Sequence, residues 1–243
     1  MERNIIEIFS SVQGEGKYAG CRQVFVRLEG CNLDCKYCDT ENMPNKHPYC
    51  MWEQHPGMRD FKKIKNPLPE DAVFGIVQKM LTESPHQAVS FTGGEPMLHA
   101  EFIQKLSRML DTKIFLETNG TLHQALGKII EDIDIISMDI KLPSVVRGSH
   151  WAEHKKFLEI ASQKDVYVKV VVSEETTDEE FVQAVGMVAE TAPYVWFVIQ
   201  PVTPFGGCRA ISPKRLLDFQ SRALASLHEV RVIPQTHRMM NQL

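Results

Sequence analysis

The sequence predicts an α/β fold, a partial and incomplete TIM-like barrel of about six βα units, in one domain over residues 1–243. Three observations predict it. Short apolar, β-branched runs recur along the chain. Stretches with helical periodicity lie between them. The apolar runs end in polar or glycine-rich residues, as strands do where a parallel sheet presents a site. Alternation at this spacing implies a mostly parallel sheet with crossover helices. Six units are too few to close an eight-stranded barrel, and an open doubly wound sheet answers the same alternation. The chain has 243 residues, 43% of them hydrophobic, enough for a sizeable core.

The first strand is read at Ile5–Phe9. It runs into Ser11-Val12-Gln13-Gly14-Glu15-Gly16, where two glycines flank a carboxylate beside an amide. Such a turn offers backbone N–H groups and a carboxylate to a polar heterocycle, or is a plain hairpin loop. The second strand, Val24–Leu28, contains Arg27. A guanidinium fork suits a carboxylate. Among Val24, Phe25, Val26 and Leu28, however, the residues themselves favour a solvent-facing arginine.

Directly afterwards comes Cys31-Asn-Leu-Asp-Cys35-Lys-Tyr-Cys38. Three thiolates with gaps of three and two residues can wrap one face of a cubane iron–sulfur cluster. Four irons and three ligands leave one iron open for chemistry. The chain has six cysteines, three of them in this stretch. That crowding argues for a metal site in a reducing compartment rather than a disulfide framework. Residues 40–69, with five prolines, read as a long excursion over the site carrying a short helix. Cys50, His47 and His55 in that excursion are candidates for a fourth ligand, or for a zinc site with the motif cysteines; a structural zinc site would close the open position.

A helix at 71–81 leads to a strand at Ala88–Phe91, followed by Thr92-Gly93-Gly94-Glu95-Pro96. Glycines at a strand end let the backbone approach a ligand closely. A helix at 100–110 precedes a strand at Ile114–Glu117, and a helix at 122–131 precedes one at Ile133–Met138. Glu117, Asp139 and Lys141 are costly to bury without partners, so they are expected to face a polar cavity or to pair at the barrel rim. A helix at 151–163 and a strand at Val166–Val172 follow, with Lys169 at its end. Thr177 with Glu180 is a capping box opening a helix at 178–191. The strand Val195–Gln200 is followed by a helix at 213–227, started by Ser212 and Pro213. The last strand, Val230–Ile233, leads to Gln235 and His237.

Net charge is −4 and no basic block reaches nucleic-acid-binding density; Lys62-Lys63-Ile64-Lys65 is short. Direct nucleic-acid binding is therefore disfavoured. No uninterrupted apolar segment approaches membrane-spanning length, and no apolar leader region precedes Ile5. The expectation is a cytoplasmic protein with no membrane partner.

Cys31-x3-Cys35-x2-Cys38 with Gly93-Gly94-Glu95-Pro96 resembles the radical S-adenosylmethionine superfamily. Val12-Gln13-Gly14-Glu15-Gly16, Arg27, Cys38-Asp39-Thr40, Thr92 and Gln235-x-His237 resemble, more narrowly, its 7-carboxy-7-deazaguanine synthase family. The resemblance covers nearly the whole chain. It implies a lyase of queuosine-type 7-deazapurine biosynthesis. S-adenosylmethionine would bind the open iron of a [4Fe–4S] cluster and be cleaved reductively. The resulting radical would take hydrogen from C6 of 6-carboxy-5,6,7,8-tetrahydropterin, and ring contraction with loss of ammonia would follow. Cys31, Cys35 and Cys38 would hold the cluster, and Thr40 would hold Mg²⁺ with substrate oxygens. Val12, Gln13, Gly14, Glu15, Arg27, Thr92 and His237 would bind the pterin, with Arg27 on its carboxylate. Gly93, Gly94, Glu95, Ser137, Asp139, Lys141 and Gln200 would bind S-adenosylmethionine. A flavodoxin- or ferredoxin-like electron donor and a homodimer are further implications.

Two departures stand out. Where family members carry Ser-Pro-Lys, this chain has Ser137-Met-Asp-Ile-Lys141, and its terminal residue is Leu243. The cysteine motif is shared with activating enzymes that make a glycyl radical on a partner protein. A non-catalytic iron–sulfur or zinc-binding module is the reading from another class.

Overall fold

The computed structural model describes residues 1–38 and 46–243. Its main sheet has ten strands. After a two-residue strand β1 (Glu2–Arg3) come β2 (Ile5–Val12), β3 (Arg22–Leu28), β4 (Tyr49–Glu53), β5 (Phe61–Lys65) and the short β6 (Leu68–Pro69). From there strands and helices alternate: α1 (Glu70–Glu83), β7 (Ala88–Gly93), α2 (Ala100–Met109), β8 (Ile114–Thr118), α3 (His123–Ile129), β9 (Ile135–Ile140), α4 (Trp151–Ala161), β10 (Asp165–Val172), α5 (Asp178–Thr191), β11 (Trp196–Pro201), α6 (Pro213–Leu224), β12 (Val230–Val232) and α7 (Thr236–Met239).

The strand order is β12-β11-β10-β9-β8-β7-β3-β2-β4-β5, so β12 and β5 are the two edges and the sheet does not close. From β3 to β12 all neighbours are parallel. This is the partial barrel that the alternation predicts. β2 runs antiparallel to β3, and β1 pairs with β6.

Side chains alternate across each parallel strand. Val89 and Phe91, Leu116, Ile136 and Met138, Val168 and Val170, and Phe197 and Ile199 join the helices in the main core. The opposite face begins with an apolar floor of Ala88, Phe115, Ile135, Tyr167 and Val198, plugged by Tyr18 from the turn after β2. The Tyr18 ring stands edge-on to Phe115 at 5.8 Å. Two residues further along each strand the same face turns polar, with Glu117, Ser137, Lys169 and Gln200. Because both faces are covered, strands such as Ile135–Ile140 are buried throughout and show little polar alternation.

The structure corrects the excursion. Residues 49–65 form no helix but a hairpin, β4–β5, that extends the sheet beyond β2. Lys62, Lys63 and Lys65 lie on its outer strand, where lysines are tolerated because one strand edge and much of the surface stay in water. None of residues 46–69 lines the cavity described below. Strand β9 also begins and ends two residues later than expected, which places Asp139 inside the strand. Among the described residues no helix is long and apolar enough to cross a membrane.

Candidate active site

A cavity of about 200 Å³ opens at the carboxyl ends of the parallel strands, where the polar halves of their inner faces meet the loop after β3. That loop leaves β3 through Gly30, whose φ of +94° suits glycine. Cys31, Cys35 and Cys38 are half-buried and in no disulfide, and all three line the cavity. The loop is fixed by its backbone: Lys36 N donates to Val145 O (2.9 Å) and Cys38 N to Cys35 O (3.0 Å). Asn119, beyond β8, reaches Cys31 Sγ at 4.0 Å and donates to Asn32 Oδ1 at 2.9 Å.

Burial pushes the Cys35 thiol up to about 11 and raises Cys31 as well. By themselves these thiols stay protonated; a bound metal centre is what makes such groups thiolates. Among the described residues no three His, Cys, Asp or Glu side chains close on a single ion. All three thiols line the cavity, and a donor set of three cysteines suits an iron–sulfur cluster. Cys50 is not a fourth ligand: it is fully buried in β4, in the main core. The Nδ1 of His47 lies 2.9 Å from Glu29, and that of His55 lies 2.6 Å from Asp60.

Gly93 and Gly94 line the cavity beside the cysteine loop. Gly93 has φ +119°, and a Cβ there would lie 2.2 Å from Leu28 O, so β7 ends pressed against β3. Glu95 does not line the cavity. It is fully buried and accepts from Met97 N (2.9 Å), Thr118 Oγ1 (2.8 Å) and Asn119 N (2.7 Å). Burial raises its carboxyl to about 7 against those donors. Its place in the structure is behind Asn119, holding the loop that touches Cys31.

Across the cavity runs a line of buried charge. Glu15, from the turn after β2, accepts from Lys169 and, at 2.7 Å, from Gln235 Nε2. Lys169 also pairs with Asp139 Oδ2 at 3.2 Å. The same oxygen pairs with Lys141 Nζ at 2.8 Å. Lys141 in turn donates to Tyr37 Oη at 3.2 Å and lies 5.1 Å from its ring centroid. Tyr37 sits between Cys35 and Cys38. Burial works to raise Glu15, but Lys169 and the hydrogen bonds outweigh it and bring its pKa to about 2. Lys141 and Lys169 are both held charged by Asp139, against the opposing effect of their burial. Asp139 Oδ1 and Gln200 Oε1 are buried with no protein partner. Both residues line the cavity, so two acceptors await donors from a ligand.

Of the remaining candidates, Arg27, Thr92 and Ser137 line the cavity. Arg27 does not simply face solvent; its Nε donates to Glu7 Oε1 at 2.6 Å, and it is 25% exposed. Thr92 Oγ1 donates to Glu117 Oε2, and Gln13 Nε2 to Glu117 Oε1, each at 2.6 Å. Gln13 is buried and does not line the cavity, nor do Val12, Gly14 and His237. The antiparallel course of β2 explains Val12, which faces Arg22 at the opposite end of the sheet from the cysteines. Gly14 and His237 form a contact of their own: a Cβ on Gly14 would lie 1.9 Å from His237 Nδ1, and Thr236 N donates to Gly14 O at 2.8 Å. Leu243 O accepts from Ser11 Oγ at 3.1 Å, and Leu243 does not line the cavity. Thr40 lies outside the described residues.

The structure adds Tyr37, Asn119, Thr203, Phe205, Gln235 and Arg238 to the cavity wall. Tyr37 inside the cysteine motif and Asn119 after the β8 carboxylate had signals, since both adjoin residues singled out for chemistry. Thr203 and Phe205 had none. Their loop matters because Gly206, at φ +60°, packs on the cysteine loop so closely that a Cβ would lie 1.8 Å from Lys36 O. Gly206→Ala is therefore expected to unseat that contact and cost about 1–3 kcal/mol. Thermal unfolding should show the loss, and the KM for the ligand at the cysteine loop should rise.

A Radical SAM superfamily model matches residues 25–188. The chain is 44% identical to 7-carboxy-7-deazaguanine synthase of Geobacter sulfurreducens over 242 residues, 98% of this chain and 96% of that one. It is 34% identical to the enzyme of the same name from Methanocaldococcus jannaschii, covering 98% of this chain and 100% of that one. Among solved structures, QueE from Escherichia coli superposes with a TM-score of 0.62 at 20% identity, over 98% of this chain and 95% of that chain. A radical SAM methyltransferase from Sphaerobacter thermophilus gives 0.59 at 14% identity, over 87% and 66%. At these identities the structural matches speak to the fold alone.

Proposed function

The chain belongs to the 7-carboxy-7-deazaguanine synthase family of the radical SAM superfamily, and from that premise we propose that its cavity converts 6-carboxy-5,6,7,8-tetrahydropterin to 7-carboxy-7-deazaguanine with loss of ammonia. It is a radical SAM enzyme, a lyase acting on a small molecule, and a [4Fe–4S] cluster and S-adenosylmethionine are its cofactors. The observation that carries the substrate reading is the content of one cavity, which is lined by three thiols together with Glu15, Lys169, Arg27 and Thr92. A small anionic, hydrogen-bonding substrate suits those groups.

The cluster, when bound, supplies the electron for reductive cleavage of S-adenosylmethionine. Cys31, Cys35 and Cys38 would hold it. Gly93 and Gly94 leave room for the cofactor next to the cysteine loop. Ser137, Asp139, Lys141 and Gln200 offer polar contacts from the strand ends, and the free acceptors Asp139 Oδ1 and Gln200 Oε1 suit its N–H and O–H donors. Gln13 and Glu95 would act from behind the wall: Gln13 through Glu117 and the Glu15 backbone, Glu95 through Asn119. Val12, Gly14 and His237 would support the turn and the carboxyl-terminal segment that packs on it.

Arg27 would hold the substrate carboxylate. Arg27→Ala is expected to raise the substrate KM by about 10- to 100-fold, the worth of a charge-assisted hydrogen bond. Cleavage of S-adenosylmethionine without substrate should persist. An unchanged KM would remove Arg27 from the substrate site.

We further read residues 1–243 as one domain, and Mg²⁺ as bound by Thr40 with substrate oxygens, a hard-oxygen set. Omitting Mg²⁺ from the assay should then lower product formation. The family resemblance supports a flavodoxin- or ferredoxin-like electron donor and a homodimer. Cluster-forming thiols support a cytoplasmic setting.

A further inference from the structure

We infer that Asp139 is a positioning residue that keeps the turn at residues 13–20 in register with the cysteine loop, so that substrate and cofactor meet at reacting distance. The inference rests on the function proposed above. Asp139 stands in β9 between two buried neighbours, Met138 and Ile140, which anchor the strand in the core. It is 8% exposed. Its Oδ2 alone holds two ammoniums, Lys141 at 2.8 Å and Lys169 at 3.2 Å.

Each lysine then holds one loop. Lys169, register partner of Asp139 on β10, binds Glu15 of the turn. Lys141, one residue past β9, binds Tyr37 of the cysteine loop. The line Glu15–Lys169–Asp139–Lys141–Tyr37 thus joins two loops through two rigid strands, and its charges alternate. All five residues line the cavity. Asp139 is the one member bound to both lysines. Hydrogen transfer needs reacting atoms about 3–3.5 Å apart, and a misplacement of about 1 Å can cost about 100-fold. A joint that fixes the distance between the loops therefore acts on the outcome of each turnover without touching the thiols.

Asp139→Asn keeps the shape but removes the charge that two ammoniums share, and its amide N–H₂ cannot accept from either. The test uses reconstituted holoenzyme with S-adenosylmethionine and the carboxytetrahydropterin. The variant should form 5′-deoxyadenosine in several-fold excess over product, compared with the wild-type ratio. In hydrogen exchange, amides of residues 13–20 should exchange several-fold faster while those of β3 stay protected. The electron paramagnetic resonance signal of the reduced cluster, read without S-adenosylmethionine, should persist, which shows that the cysteine loop still holds its cluster. Should Asp139→Asn fail to take up a cluster, Glu15→Gln cuts the line at its turn end and is expected to give the same excess and the same exchange. A lower rate with unchanged ratio and unchanged exchange overturns the inference and leaves the proposed function standing. Wild-type enzyme that cleaves S-adenosylmethionine but makes no deazaguanine overturns the proposed function, and the inference with it.

Discussion

Cys35→Ala is expected to leave no detectable product and no reductive cleavage of S-adenosylmethionine, while the protein remains folded. Cys35 is the middle cysteine of the motif, half-buried and open to the cavity. Two thiols cannot hold a cubane against solvent and oxygen, and among the described residues the candidate substitutes are engaged elsewhere: Cys50 is sealed in the core, and His47 and His55 are held by carboxylates. Deleting one half-buried sulfur removes little packing, so the stability of the apo protein should fall by only about 1 kcal/mol. Anaerobic reconstitution followed by iron and sulfide analysis and thermal unfolding checks both halves. A variant that still assembles a stoichiometric, active cluster would show that the ligands have been misassigned.

Lys169→Met is expected to have the largest effect on stability. Removing one partner of a buried ionic group costs about 3–5 kcal/mol, because the charge left behind is uncompensated. Here Glu15 loses its paired lysine and keeps only the Gln235 amide, while Asp139 keeps Lys141. The loss carries a sign in pH. In the wild type the Glu15 carboxyl lies at about 2, below its ordinary 4.5. Its ionised form therefore adds stability that is present above about pH 4.5 and is lost as pH falls toward 2. From 4.5 to about 2, at about 1.4 kcal/mol per pH unit, this is on the order of 3 kcal/mol. Without Lys169 only the Gln235 and Gln200 hydrogen bonds oppose burial, the largest single influence, and the Glu15 carboxyl is expected to move up instead. The variant then loses stability as pH rises past 4.5, where the wild type keeps it. The gap in Tm between the two proteins should widen from pH 4 to pH 7. A gap that does not change with pH would mean that Glu15 is not held by Lys169.

The fold was legible where periodicity is set by one buried face or by recognised caps. The capping box at Thr177 and Glu180 is present as read, and Ser212 caps α6 with Pro213 at its start. The hairpin β4–β5 was not legible. Its strands are short, one is rich in lysine, and their neighbours include the prolines that also mark loops. Residues 135–140 were read two positions early because a strand covered on both faces gives no alternation by which to place its ends.

The cavity was legible through residue types that are expensive to bury. Glu117, Asp139 and Lys141 had to find partners, and the structure supplies them. What the sequence did not show is who partners whom. That Asp139 binds two lysines with one oxygen depends on the register of β9 against β10, which pairs Lys169 with Asp139. Likewise Val12, Gly14, Glu95 and His237 are close to the site in sequence or motif yet lie off the cavity wall, because an antiparallel strand and a buried carboxylate carry them behind it.

The most direct test follows the hydrogen. The holoenzyme is given carboxytetrahydropterin deuterated at C6, with S-adenosylmethionine and reductant, and the products are read by mass spectrometry. The expected result is 7-carboxy-7-deazaguanine together with 5′-deoxyadenosine that has gained one deuterium. Unlabelled 5′-deoxyadenosine, with no deazaguanine formed, would contradict the assignment of this cavity to pterin ring contraction.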